Sequence, residues 1–160
     1  MIESREQLLE LAAKAELFGE SAEGLDLTGV DLSGLDLSQC SFISCSFMQA
    51  NLSETLLSDA SLRGCDLTGA DLSRAELPGC DLCGAKLGGA RLSGTSFNAA
   101  NLSGVDLRDA KLAECELIDV DLTGANLAGL DLTGVRRASR QVGEHKHARR
   151  QTRPGRSQRS

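Results

Sequence analysis

The residues best suited to metal or redox chemistry in this sequence are its six cysteines. Cys80 and Cys83 form a C-x-x-C pair, which is the spacing that zinc and thiol redox sites use. Such a site needs a second cysteine pair or a helix that begins at the cysteines. The sequence offers neither, so we expect no metal and no cofactor.

Histidine is confined to the C-terminal segment, where His145 and His147 stand in a basic run. The rest of the chain therefore lacks the imidazole that a Ser/His/Asp or Cys/His arrangement requires. Carboxylates are numerous, but they recur at regular intervals and do not gather in a cleft. These observations predict that the protein is not an enzyme.

A five-residue period from Leu25 to Gly134 determines where these side chains can lie. Every fifth residue from 27 to 132 is Leu in nineteen cases and Phe in three, and the residue two before each is Ala, Cys, Val, Leu or Thr. Residues two apart share one side of an extended backbone, so both are predicted to point inward. The last position is Gly in 12 of 22 units, as a turn requires. Each unit buries too little to be stable alone, so the units must stack.

Five of the cysteines occupy the inward position that alanine usually fills: Cys40, Cys45, Cys65, Cys80 and Cys115. They are interpreted as small buried apolar residues. Cys83 falls at an outward position. The chain begins without the apolar core of a secretory signal and has no apolar run of about 20 residues, so a cytoplasmic location without membrane contact is expected. In that compartment the thiols are predicted to stay unpaired.

The repeating units resemble the pentapeptide repeat family. Residues 70–74 (Ala-Asp-Leu-Ser-Arg) and 125–129 (Ala-Asn-Leu-Ala-Gly) show the family pattern, and the match covers 110 of 160 residues. The resemblance implies an all-β fold, a right-handed quadrilateral parallel β-helix with four units per coil and the central Leu or Phe inside. With four units per coil, the 22 units give about 5.5 coils.

Three segments are predicted. Residues 1–24 are expected to form a capping helix, over 4–18, and a linker. Ser4 and Gln7 make a capping-box pattern, and apolar residues recur at helical spacing from Leu8 to Phe18. Residues 25–135 form the repeat. Residues 136–160 carry a net charge of +8 and almost no apolar residue, which predicts a disordered basic tail.

The charge distribution supplies the main functional hypothesis, a protein-interaction or scaffold module that presents a rigid acidic surface to a protein partner. Residues 1–135 carry a net charge of −14. When every fourth unit is assigned to one face, one face holds five acidic residues and no basic one. These are Asp36, Asp59, Glu76, Glu116 and Asp119.

Two alternatives follow from the family resemblance. Some members mimic DNA and bind DNA gyrase or topoisomerase in quinolone resistance, and others serve bacterial secretion systems as accessory or effector proteins.

The C-terminal coil suggests a further contact, because Leu130, Leu132 and Val135 would lie at an open mouth of the rod. A homodimer or a partner is expected to cover that mouth. Direct nucleic-acid binding is expected only through the basic tail.

Overall fold

A computed structural model describes residues 1–137. It contains one helix, α1 (Arg5–Ala13), and two short strands, β1 (Ser21–Glu23) and β2 (Ser41–Ile43). The rest of the described chain consists of turns and single-residue parallel bridges. Of the predicted disordered tail (136–160), Arg136 and Arg137 are described, and Arg136 forms a parallel bridge with Glu116. The rest of the tail lies outside the described residues.

A register of 20 residues runs through the stacked coils. Strands β1 and β2 pair in parallel with Ala22 opposite Phe42. Parallel bridges continue at the same spacing from Ile2↔Ala22 to Glu116↔Arg136. Because each pentapeptide has five residues, every coil contains four of them. Each residue therefore lies next to the residues 20 positions before and after it.

Three backbone hydrogen bonds tie each unit to its neighbouring coils. In the unit centred on Leu72, the Leu72 N–H donates to the carbonyl of Arg91 at 2.8 Å, and the Arg74 N–H donates to Ser93 at 2.9 Å. The Asp71 N–H donates in the opposite direction, to Ala50 at 2.9 Å. This pattern satisfies backbone polar groups that a thin, five-residue unit would otherwise leave unpaired.

The last position of every unit adopts a left-handed conformation, whether or not it is glycine. The twelve glycines there have positive φ, and so do ten other residues, among them Gln39 (φ 59°) and Arg74 (φ 58°). A positive φ at the third residue, with a bond such as Ala75 N–H to Leu72 O at 2.9 Å, defines a type II turn. The predicted turn position is confirmed. The ten non-glycine residues show that stacking outweighs a local penalty of about 1 kcal/mol each.

Aspartate and asparagine before the central residue hold these turns together. In each case the side-chain Oδ1 accepts the backbone N–H two residues later, as Asp31 does from Ser33 at 3.0 Å and Asn51 does from Ser53 at 3.1 Å. The same Asx contact recurs along the rod, at Asp26, Asp36, Asp66, Asp71, Asp81, Asn101, Asp106, Asp121, Asn126 and Asp131. Such bonds favour the turn over other local conformations.

The predicted inward residues form one continuous apolar core. The central Leu and Phe side chains through Leu112 are buried, and so are the residues two before them through Cys115, apart from the partly buried Leu25 and Leu35. Phe42 and Phe47 meet edge to face with centroids 5.3 Å apart. The five cysteines assigned to inward positions are buried and unpaired, and Cys83 is partly exposed, so the prediction for the thiols is confirmed.

The N-terminal end of the core is covered by α1. Ser4 caps the helix by accepting the Gln7 N–H at 3.1 Å, which confirms the predicted N-terminus. The helix is shorter than the residues 4–18 predicted, because Ala15 adopts φ 55° and the Glu16 N–H bonds to Leu11 O at 2.9 Å. These two features form a Schellman C-cap. Phe18, predicted to lie on the apolar helix face, is exposed instead.

The buried core begins before the first repeat unit recognised in the sequence. Leu8 is fully buried, and Ile2, Leu17 and Ala22 join the same core. Leu17 and Ala22 fall in phase with the centres that begin at Leu27, so the stacking starts before residue 25. Their units lack the usual neighbouring residues, which is why the sequence period did not include them.

Candidate interaction surfaces

The five acidic residues predicted to share one face lie in two adjacent columns of the rod. Parallel bridges align one column along the axis, made of Asp36, Leu56, Glu76, Ser96, Glu116 and Arg136. Asp59 and Asp119 lie in the turn column beside it, each in a left-handed conformation. We call these two columns, with the residues between them, the acidic face.

Only some of these carboxylates are free to meet a partner. Asp36 caps its own turn by accepting the Ser38 N–H at 2.9 Å, and this contact lowers the pKa of Asp36. Glu116 lies 3.4 Å from Arg136 Nη1 and accepts a bond from Asn98 Nδ2 at 3.4 Å. Glu76, Asp59 and Asp119 make no side-chain hydrogen bond or ion pair with residues 1–137.

The Asp59 carboxylate lies against the next coil. It lies over Gly79, where an added Cβ would collide with the carboxylate oxygen. Glycine at that position therefore leaves the room that the carboxylate occupies. The aspartate side chain is short, so a partner can contact the carboxylate without the entropy cost of ordering a long side chain.

Exposed apolar side chains stand on the same face. Leu56 is 40% exposed in the bridged column, and Phe18, at 56%, lies 20 positions before Ser38 of this face. Pro78 and Ile118 occupy the positions between the two columns. Mixed apolar and charged surfaces of this kind are typical of sites that bind other proteins.

A groove of about 520 Å³ runs along one edge of the acidic face. Glu76, Glu114 and Glu116 line it, with Arg74 and Arg136 at its ends. The Asn98 Oδ1 on its wall is buried and has no hydrogen-bond partner among the described residues. The groove thus combines several acceptors with two guanidinium groups.

The other faces neutralise more of their own charge. Arg63 pairs with Asp81 at 2.8 Å, and Arg108 pairs with Asp106 at 2.6 Å. The Arg108 guanidinium lowers the pKa of Asp106 to about 2. On these faces acid and base are held together within one or two coils, so less charge is left for a partner.

The C-terminal mouth of the rod is a second apolar surface. A cavity of about 470 Å³ opens there, lined mainly by leucines from the last coils, with Asp119 and Arg137 beside them. Leu130 and Leu132 line it, while Val135 is partly buried against the core. Leu127 and Leu132 occupy inward positions of the repeat, yet they are 39% and 37% exposed. Among residues 1–137, no further coil lies over them.

Metal and membrane sites were also sought in residues 1–137. There, no group of three or more His, Cys, Asp or Glu side chains is placed to hold a metal ion. In the same part of the chain, no helix has the length and apolar character needed to cross a bilayer.

Sequence reasoning missed two features of these surfaces. The Asx bonds assign most aspartates to turn formation, a signal present in the sequence as Asp or Asn one position before each centre. The exposed Phe18 was assigned to a helix, because the Schellman turn at Ala15 has no glycine to mark it.

Comparison with known proteins supports the repeat. A profile for pentapeptide repeats matches eight copies across segments 45–82, 60–98, 75–112 and 100–136. HetL, a pentapeptide repeat protein involved in heterocyst differentiation regulation in the cyanobacterium Nostoc sp. strain PCC 7120, is 33% identical over 73% of this chain, with a TM-score of 0.50. The chain spans only about half of HetL, 52% of its length.

Two other solved structures are also similar. A pentapeptide repeat protein of the Arabidopsis thaliana thylakoid lumen is 28% identical over 78% of this chain and 73% of its own, with a TM-score of 0.49. QnrB1, a plasmid-mediated fluoroquinolone resistance protein, is 24% identical over 78% of this chain and 87% of its own, with a TM-score of 0.39. No curated protein sequence matches the chain.

Proteins of this type fold as right-handed β-helices and are generally non-enzymatic structural or interaction modules. The 20-residue parallel register, the uninterrupted apolar core and the profile match over residues 45–136 agree on one assignment. This chain belongs to the pentapeptide repeat family.

Proposed function

We propose that the protein is a non-enzymatic interaction module whose acidic face binds another protein. One observation carries the proposal: the uncommitted carboxylates of Glu76, Asp59 and Asp119 stand on the same face as exposed Leu56 and Phe18. The proposed rod is quadrilateral, so this face is one flat side. Its backbone is bonded to the coils on both sides, which makes the surface rigid before binding.

The partner that suits this surface is a protein segment that carries basic and apolar side chains. Arg or Lys would pair with the free carboxylates, and the exposed leucine and phenylalanine would be removed from water. Charge of opposite sign directs the encounter, whereas apolar burial supplies most of the affinity. The free thiols suit the reducing cytosolic compartment expected from the sequence.

A pair of matched double variants tests this proposal. Asp59→Asn with Glu76→Gln removes two charges from the acidic face, and Glu54→Gln with Asp109→Asn removes two equally exposed charges from other faces. Asp59, Glu54 and Asp109 all have left-handed backbones, so the two variants test similar local geometry. Tagged forms of each are used to capture proteins from a lysate, followed by quantitative mass spectrometry.

The acidic-face variant should lose at least one captured protein that the wild type and the control variant retain. Salt should weaken the same capture, because the Debye length shortens as ionic strength rises. Equal capture by all three forms would contradict the proposal.

The apolar C-terminal mouth supports a second contact, a homodimer made end to end. Such a dimer would cover leucines that are more than one-third exposed at the mouth. Leu132→Ser should shift the protein toward monomer in light scattering, whereas Leu9→Ser, at the 41% exposed Leu9 of α1, should not. A wild-type protein that is monomeric at high concentration would exclude the dimer.

The two alternatives taken from the family resemblance gain no specific support from residues 1–137. A DNA mimic that binds gyrase needs negative charge along several sides of the rod, but Arg63 and Arg108 pair with carboxylates on the other faces. Nothing in the described residues is specific to a secretion apparatus.

A further inference from the structure

We infer that residues 138–160 of this chain bind the acidic face of the same molecule and compete there with the partner. This inference rests on the proposed function of that face and adds its regulation. Residues 138–160 lie outside the described part of the chain, and the argument uses their charge and their point of attachment.

The described chain ends on the acidic face itself. Arg136 is the last residue of the bridged column, where its N–H donates to Cys115 O at 2.7 Å and its carbonyl accepts the Leu117 N–H at 2.8 Å. Its guanidinium already lies 3.4 Å from the Glu116 carboxylate. The first basic residue of the C-terminal segment therefore makes the kind of contact that the following ones would repeat.

The charges of the two surfaces are complementary. Residues 138–160 contain seven Arg or Lys and one Glu, a net of +6, and the acidic face carries five carboxylates. The neighbouring faces are less attractive, because Arg63 and Arg108 pair with carboxylates there. A basic segment attached at Arg137 thus has one strongly favoured direction in which to lie.

The length of the segment is sufficient. Asp36 is five coils from Arg136, where the segment is attached, or about 24 Å at the usual strand spacing. Lys146 follows Arg137 by nine residues, which span up to about 30 Å when extended. Lys146 can reach every carboxylate of the acidic face within one molecule. Attachment also gives the segment an effective concentration that a separate partner must exceed.

Lys146 provides a direct test, because it is the only lysine in residues 138–160. A carbodiimide joins an amine to a carboxylate that it touches, without a spacer. The full-length protein is crosslinked at low salt, the monomer is isolated, and peptides joined to Lys146 are quantified by mass spectrometry. Glu54 and Asp109, equally exposed on other faces, are the matched controls.

Crosslinks from Lys146 to Asp59 and Glu76 should exceed those to Glu54 and Asp109 by about fivefold, since several weak ion pairs act together. At about 0.5 M salt the excess should disappear. An even distribution, no Lys146 crosslink in the monomer, or enrichment only in a crosslinked dimer would each overturn the inference.

A second measurement separates this inference from the proposed function. Replacing Arg149, Arg150 and Arg153 by Gln in the full chain should increase capture of the partner by the acidic face. If the acidic face captures a partner but Lys146 crosslinks are not enriched, the function stands and the inference fails. If Lys146 crosslinks are enriched but no partner is lost from the Asp59→Asn, Glu76→Gln variant, the function and the inferred competition both fail, and only the intramolecular contact remains.

Discussion

The two ends of the rod are built from the same kinds of residue and differ in what lies over them. At the N-terminal end, α1 places Leu8 on the core, and Leu8, Leu17 and Leu27 are fully or almost fully buried. At the C-terminal end, Leu127 and Leu132 are 39% and 37% exposed. All but Leu8 occupy the central position of a five-residue unit.

This difference shows that burial in a repeat is decided by the neighbouring coil and not by the residue itself. Leu132 has the same position in its unit as Leu72, which is fully buried between two coils. Natural repeat proteins require a capping element at each end for this reason. In residues 1–137 only the N-terminal end has such an element.

The largest loss of stability is expected for a substitution in the middle of the rod. It is the reference against which substitutions at the two ends are compared. Leu72→Asp would place an unpaired carboxylate in a core closed on both sides, at a cost of several kcal/mol. The variant should be largely unfolded by circular dichroism, or should melt far below the wild type. A spectrum dominated by α-helix in the wild type would contradict the fold itself.

The next comparison sets one end directly against the other. Leu8→Ala leaves a cavity beneath α1 and should lower the free energy of unfolding by about 2–5 kcal/mol. Leu132→Ala removes a side chain that is already part exposed and should cost under about 1 kcal/mol. Chemical denaturation of both variants measures the two values. Equal losses would mean that the C-terminal mouth is covered in solution.

Acid should lower the stability of both ends of the rod, because each end has a turn held by an aspartate carboxylate. Bonds from Ser33 and Thr133 lower the pKa of Asp31 and Asp131 in the folded state. A carboxyl with a lowered pKa stabilises the fold above its ordinary pKa of about 4 and loses that contribution as the pH falls toward its folded value. Thermal stability should therefore fall as the pH drops below about 4.

Asparagine makes the same turn contact without a titrating group, as Asn51 and Asn101 show. Replacing Asp31 and Asp131 by Asn should therefore keep the fold at pH 7 and reduce the loss in acid. An unchanged acid sensitivity would show that other carboxylates control it.

The smallest effect is a difference in thiol reactivity along the rod. Burial raises the pKa of Cys40, near the closed end, to about 11 and that of Cys115, near the open end, to about 12. Alkylation at pH 8 should modify the part-exposed Cys83 first and the buried thiols slowly, because the packed core keeps the reagent from them. Cys115 should react faster than Cys40 if the open end frays. Equal rates for all six would contradict the inward positions.

The interior of the rod was predictable from the sequence because its period is strict. The inward positions, the left-handed turns and the state of the thiols all follow from the spacing of Leu, Ala and Gly. The ends were less predictable. Ile2 and Leu17 join the core through contacts 20 residues away, and the end of α1 depends on a left-handed alanine that carries no sequence signal.

The surface was predictable only in part. The five acidic positions could be assigned to one face by counting residues. Counting could not show which of the carboxylates make hydrogen bonds within the rod. Asp36 is bonded to its turn while Asp59 is not, because one stands before the central residue and the other stands in the turn. The exposure of Phe18 beside them could not be predicted, because it depends on the path that the chain takes after α1.

The 20-residue register has a consequence for how the protein is made. Every backbone hydrogen bond between coils joins residues 19 or 21 positions apart, so a coil needs only the coil before it as a template. Ribosomes add about 5–20 residues per second, whereas short loops close in well under a millisecond. Each coil can therefore dock before the next one is synthesised. Helix α1 precedes the coils and can start the stack, and winding proceeds in the direction of translation toward the C-terminal mouth.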